Sequence, residues 1–291
     1  MTRLQSRSRP RCAPRGSRRG FTWVELLVVL VVIVLAISFF LPVRTSMHGG
    51  DNRVKCASNL RQIGQAILLY SNDNKGAYPR TMASAGPDRK PTWGTGAAAA
   101  NPTDPTGPAD NDVTAALFML LRTQDITSEV FTCPSSNTEK DLYGGGDNAP
   151  INRSNFTDLK KNLSYSYQNP YPSDDAVKRG FKLDNSLGAE FAVAADINPG
   201  VSGSGDNVLN IKPNSSAKEM RSGNTNNHDK DGQNILYGDG HVSWESNPFV
   251  GVNRDNIYCP ASGTDGSTQF NPILGSSPYD ANDSVLLPTD D

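Results

Sequence analysis

The residue types best suited to chemistry sit late in the chain, in Asn227-His228 and in Ile235-Leu236-Tyr237-Gly238-Asp239-Gly240-His241-Val242-Ser243-Trp244. His228 or His241 with Asp239 could serve as an acid–base pair or as metal ligands. No activated nucleophile accompanies them. Two apolar runs flank Gly238-Asp239-Gly240, which is the pattern of a β-hairpin whose turn Asp bonds its own backbone. The hairpin is therefore the expected role. An exported hydrolase using His228 and Asp239 is the alternative. Asp229-Lys230-Asp231-Gly232 opens like a calcium loop, making Asp229 and Asp231 calcium candidates. The twelfth position counted from Asp229 is Gly240, however, and not the bidentate Glu that such a loop needs. Gly144-Gly145-Gly146 lacks the Lys-Ser/Thr of a phosphate loop. Of the four cysteines, Cys12 lies in a basic N-terminal stretch. Cys56, Cys133 and Cys259 remain, an odd number with no Cys-x-x-Cys spacing. Zinc is unsupported on that pattern, and one disulfide plus one free thiol is expected with the pairing open.

One further ionisable residue stands out by its surroundings. Val24 to Val43 reads VELLVVLVVIVLAISFFLPV, apolar apart from Glu25 and Ser38. Counted from Phe21 the stretch would make a helix of about 34 Å at roughly 1.5 Å per residue, against a bilayer hydrocarbon core of about 30 Å. A membrane-spanning helix over 21–43 is expected, with the arginine-rich flank cytoplasmic and the rest of the chain outside. A carboxylate within such a span costs a few kcal/mol and calls for a cation. A new α-amine at Phe21, or one from a neighbouring copy, would supply it. An ordinary secretory signal cut after Ala36-Ile37-Ser38 leaves Phe39-Phe40-Leu41-Pro42 and Glu25 unexplained. A twin-arginine signal built on Ser17-Arg18-Arg19-Gly20-Phe21 would have an unusually strong apolar region. A plain single-pass anchor accounts for all but Glu25 and the Gly20–Phe21 junction.

Arg19-Gly20-Phe21-Thr22-Trp23-Val24-Glu25-Leu26-Leu27 resembles the N-terminal signal of type IV prepilins and type II secretion pseudopilins. The resemblance implies cleavage between Gly20 and Phe21 by a prepilin peptidase and N-methylation of Phe21. It also implies a role for Glu25 in assembly. Trp23 departs from the more usual aliphatic residue, and Pro42 fits the family. Lys55-Cys56-Ala57-Ser58-Asn59-Leu60-Arg61-Gln62-Ile63-Gly64 is similar to the segment that follows the membrane helix in a large group of prepilin-like proteins. Those proteins close with His, nine residues and Asp-Gly. Here ten residues separate His228 from Asp239. The implied partners are the peptidase, other pilin or pseudopilin subunits, an inner-membrane assembly platform and the bilayer. The implied location is a bacterial inner membrane, with an extracytoplasmic head and no enzymatic activity. A membrane-tethered binding module that never polymerises is the rival reading.

The elements that must hold these residues follow from periodicity. Val54, Ala57, Leu60, Ile63, Gly64, Ile67 and Leu68 recur at spacings of three and four, so an amphipathic helix is expected over 51–70 within an extension spanning 44–72. Gly49-Gly50 would weaken its start. Residues 80–112 are rich in Pro, Gly, Ala, Thr and Asp, and are expected to form a flexible insertion. Val113–Leu121 reads as a short buried helix and 131–134 as a strand or turn. Strands are expected at 163–167 and 191–196, with the hairpin after them. The fold class expected is α+β: a long N-terminal helix packed on an antiparallel, loop-rich head, in the manner of pilins. The domains are a leader at 1–20, the span at 21–43, the extension at 44–72 and the head at 73–291.

Charge is segregated in the same way. Of 28 bases, seven arginines lie in residues 1–20; of 30 acids, only Glu25 precedes residue 44. Residues 44–291 thus carry 21 bases and 29 acids, a net −8. Such a body argues against nucleic-acid binding, which needs basic surface. Gly and Pro total 46, which argues against a tightly packed doubly wound enzyme.

Overall fold

The computed structural model describes residues 20–40, 48–86, 89–144, 146–201, 205, 207–260 and 277–291. The chain divides into two compact units, residues 1–46 and 47–291.

In the first unit, helix α1 runs Trp23–Phe40, 18 residues. Thr22 and Glu25 start it reciprocally: the Glu25 N–H donates to the Thr22 hydroxyl at 3.3 Å, and Glu25 Oε2 accepts from the Thr22 N–H at 2.9 Å. This is a capping box, which satisfies two otherwise orphaned donors. The large apolar side chains from Phe21 to Ile37 are 44–77% exposed. At roughly 1.5 Å per residue α1 is about 27 Å long. Among the described residues no helix is long and apolar enough to cross a membrane. The expected span ran on to Val43; residues 41–43, Pro42 among them, lie outside the described residues, as does the leader up to Arg19.

The second unit is α+β. Helix α2 (His48–Asp73) is longer than expected and includes Gly49-Gly50 in its first turn, where an intrahelical bond is not yet required of every N–H. It ends where Gly76 turns the chain at φ +87°, donating its N–H to the Ser71 carbonyl at 2.8 Å. Its buried face is Cys56, Leu60, Ile63, Ala66, Ile67 and Tyr70. Val54 and Leu68, expected in that stripe, point outward at 67% and 37% exposure. Seven periodic residues define a stripe broader than one contact, and the sheet selects which edge of it is covered.

That sheet has five antiparallel strands in the order β4-β3-β2-β1-β5: β1 Tyr165–Gln168, β2 Ala192–Asp196, β3 Gln233–Tyr237, β4 Val242–Glu245 and β5 Leu286–Leu287. β3 and β4 form the expected hairpin. Gly240 closes its turn at φ +87°, donating to the Tyr237 carbonyl at 2.9 Å. That left-handed position is the one glycine fills without steric cost. α2 lies across β3 so closely that a Cβ on Gly64 would sit 2.8 Å from Leu236 Cδ1. Helix α3 (Val113–Thr123) is buried as expected and joins α2 in a core with Tyr165, Tyr167, Val193 and Leu236. A second apolar cluster gathers Ile235, Tyr237 and Leu286 with Val208, Ile257 and Tyr258. Strand side chains alternate between faces, so Leu236 and its two neighbours in β3 feed different cores.

The described part of 80–112 forms no helix or strand. Its end is tied to α3 by Asp112, which is fully buried, caps Ala115 N–H at 2.8 Å and accepts from the Thr95 N–H at 2.8 Å. The 131–134 segment is the end of a short 3-10 turn, Ser128–Phe131, rather than a strand.

Candidate functional site

Four buried side chains from four separate segments meet beside the first half of α2. Cys56 comes from the buried face of α2. Cys133 follows the 3-10 turn, and the two form a disulfide with Cα atoms 5.3 Å apart across 77 residues of sequence. The turn is docked by polar contacts: Asn59 Nδ2 donates to the Thr132 carbonyl at 2.9 Å and to Tyr165 Oη at 3.2 Å, and the Cys133 N–H donates to Ser164 Oγ at 2.9 Å. Closing a loop of that length is worth about 4 kcal/mol in the chain-entropy picture, a large share of a typical 5–15 kcal/mol stability. Cys259 stays a free buried thiol, and burial pushes its pKa well up.

The other two members are His228 and Asp196, with side chains 2% and 0% exposed. His228 ends a 3-10 turn, Asn226–His228, held by the Thr225 hydroxyl accepting from the Asn227 N–H. Asp229 then reverses the chain at φ +55°. Asp196 ends β2, opposite Tyr165 in register. His228 Nε2 donates to Asp196 Oδ2 at 3.1 Å and lies 3.8 Å from Cys133 Sγ. The Asp196 carboxylate also accepts from the Asn234 N–H at 2.7 Å, Asn234 Nδ2 at 3.1 Å and Asn227 Nδ2 at 3.2 Å. Burial raises the Tyr165 and Tyr258 phenols well above their ordinary range, and the Asp196 charge adds to the rise in both.

A lid of stacked groups covers the cluster. The Trp244 ring meets His228 edge-on at 5.2 Å, and the Arg53 guanidinium lies 4.0 Å over Trp244. Arg53 in turn bonds Asp231 at 3.2 Å, and Arg221 takes the other Asp231 oxygen. Arg221 also donates to the Asp229 carbonyl at 2.6 Å. Of the calcium candidates, Asp231 has its carboxylate matched by two arginines, while Asp229 offers Arg221 its backbone carbonyl.

The alternative pairing of His228 with Asp239 is not formed. Asp239 sits at the hairpin tip and bonds His241, through the backbone N–H at 3.0 Å and through Nδ1. Those two bonds hold its carboxyl below the usual range. His241 stacks on the buried Tyr237 at 4.5 Å, and the His241–Asp239 pair is roughly half exposed. So the hairpin acid keeps the role expected of a turn residue, while the buried His takes Asp196. In the sequence Asp196 reads only as the last residue of a strand. The available signal was a carboxylate closing the apolar run Phe191-Ala192-Val193-Ala194-Ala195, with no turn residue beside it.

Gly20 and Phe21 lie exposed just before α1. Glu25 stands in its first turn, where its carboxylate is bonded to Thr22. Comparison with known protein families, curated proteins and solved structures gives no match.

Proposed function

We propose that this chain is a prepilin-like structural subunit of a type II secretion-like or type IV pilus-like filament. A peptidase cuts it between Gly20 and Phe21 and methylates Phe21. The apolar stretch Phe21–Val43, of which α1 is the described part, then anchors the chain in the inner membrane and later bundles with its copies in a filament core. The peptidase, sibling subunits, an assembly platform and lipid are its partners. The acidic head lies outside the cytoplasm and has no catalysis of its own. Its disulfide suits an oxidising compartment. The head, near 220 residues, is large for a bulk subunit and favours a minor role.

The observation that carries this reading is α1 itself. Its large apolar side chains are exposed from Trp23 to Ile37, as is Phe21 before it; its one acid is Glu25, four residues after Phe21. An apolar surface on every side of a helix is stable only in lipid or among other such helices. The Thr22–Glu25 capping box gives the carboxylate a second use, starting the helix. Two substitutions separate the roles. Glu25→Gln keeps a side chain that can accept from the Thr22 N–H, but removes the charge; Glu25→Ala removes both. If the charge pairs with a new terminus, both variants stay out of filaments when coexpressed with the secretion machinery. Incorporation of Glu25→Gln at the wild-type level would reduce Glu25 to a helix cap. Intact mass of the membrane-extracted protein tests the class directly. The expected species lacks residues 1–20 and carries one extra methyl group; a chain still starting at Met1 refutes the proposal.

A further inference from the structure

We propose that the dithiol form of this chain binds one zinc ion through Cys56 Sγ, Cys133 Sγ, His228 Nε2 and an Asp196 carboxylate oxygen. The inference stands apart from the filament reading and uses only the buried cluster. One ligand atom from each residue lies within 4.8 Å of every other. A tetrahedral ion with bonds of about 2.0–2.3 Å needs ligand atoms about 3.3–3.8 Å apart. His228 Nε2 lies 3.1 Å from Asp196 Oδ2 and 3.8 Å from Cys133 Sγ, so once reduction lets the two bonded sulfurs part, small side-chain shifts close the site. Two thiolates, one imidazole and one carboxylate form the mixed soft and borderline set that selects zinc over calcium or magnesium.

The outer shell is also in place. Asn227 and Asn234 hold the Asp196 carboxylate by three N–H donors, and the Trp244 edge fixes the His228 ring. Such contacts orient metal ligands and raise affinity. With two thiolates and a carboxylate around a divalent ion the site carries one net negative charge. The amide donors on Asp196 offset it.

The disulfide and the zinc site exclude one another because they use the same sulfurs. A dithiol reductant transfers two electrons and two protons to the Cys56–Cys133 bond and is itself oxidised to a disulfide. Zinc then displaces both thiol protons. The imidazole shifts its proton to Nδ1, leaving the Nε2 lone pair for the metal. All four ligands are buried, so the ion enters during folding of the reduced chain, before Trp244 and Arg53 close over the site. The chain would then be stapled at one point by either of two cross-links, according to the redox state in which it folds.

The test refolds the full chain in detergent with a phosphine reductant, without oxygen, in the presence of zinc or cobalt. The expected result is one metal per chain and a cobalt spectrum with thiolate charge-transfer bands and tetrahedral d–d bands. Zinc, but not calcium or magnesium, should raise the melting midpoint of the reduced chain and leave that of the oxidised chain unchanged. His241→Ala should keep the metal and the spectrum, since its exposed pair with Asp239 is not involved. His228→Ala should weaken binding at least tenfold. His228→Cys guards against a variant that fails to fold, because it should keep the metal and strengthen the charge-transfer bands. Absence of metal from the reduced wild-type chain would overturn the proposal. So would equal binding by the oxidised chain, or an unchanged cobalt spectrum in folded His228→Ala.

Discussion

Asp196→Ala should be among the most damaging single substitutions in the head, although no part of the carboxylate reaches solvent. Its carboxylate accepts four hydrogen bonds: from His228 Nε2, the Asn234 backbone, Asn234 Nδ2 and Asn227 Nδ2. Removing it strands those donors where water cannot replace the lost acceptor. Breaking a buried pair in this way costs about 3–5 kcal/mol, against a total near 5–15 kcal/mol. His228→Ala should cost less, about 1–3 kcal/mol, because three N–H donors still serve the carboxylate. The double variant should then cost less than the two single costs together, with a coupling of about 1–3 kcal/mol. Urea unfolding of the oxidised chain, followed by tryptophan fluorescence and circular dichroism, measures all three. Trp244 packs edge-on against His228 and reports the site locally. A cost below about 1 kcal/mol for Asp196→Ala would refute the claim that this carboxylate organises the cluster. Strict additivity of the two substitutions would refute the direct His228–Asp196 bond.

Two further outcomes follow from other parts of the head. Asp255 is buried, with Oδ2 accepting from the Ser284 N–H at 2.9 Å and Oδ1 without a partner. Burial, and beyond it the charge of Asp280, push its carboxyl up to about 8. The folded state thus holds a proton that the unfolded chain releases near pH 4, so this contribution is complete below that pH and is lost as pH rises toward 8. The loss is at most about 1.4 kcal/mol per pH unit. Unfolding midpoints should fall from pH 5 to pH 8 in the wild type and stay flatter in Asp255→Asn; parallel profiles would show that Asp255 is not the group responsible. At the helix–sheet contact, Gly64→Leu should destabilise by about 1–3 kcal/mol through overpacking against Leu236, despite a helix-propensity gain near 1 kcal/mol. Leu236→Ala in the same chain should recover part of that loss. A stabilising Gly64→Leu would mean that α2 does not press on β3.

Local order was legible wherever a pattern of a few residues dictates it. The three- and four-residue spacing after Asp51 marked α2, the apolar run 113–121 marked α3, and Gly238-Asp239-Gly240 marked the hairpin. The edge of the stripe was not legible: Val54 and Leu68 fit the period, yet Cys56 and Tyr70 are the residues buried. Strand β5 has two residues and no alternation to read; its pairing with β1 supplies the reason it exists. The partner of His228 was also out of reach. The hairpin acid Asp239 lay nearer in sequence, but its carboxylate turns back on its own loop to His241, and Asp196 arrives from the next strand of the sheet.

The sequence alone determined the apolar N-terminal run with its single acid, the helical and strand periods, and the acidic balance of the head, because each depends on residues close along the chain. Only the tertiary structure decided that Cys56 pairs with Cys133 and that His228 is matched to Asp196. Those contacts join segments as far as 77 residues apart in the chain. They exist because burying α2 on the sheet brings the four side chains to one dry place, where each must find a partner or destabilise the fold.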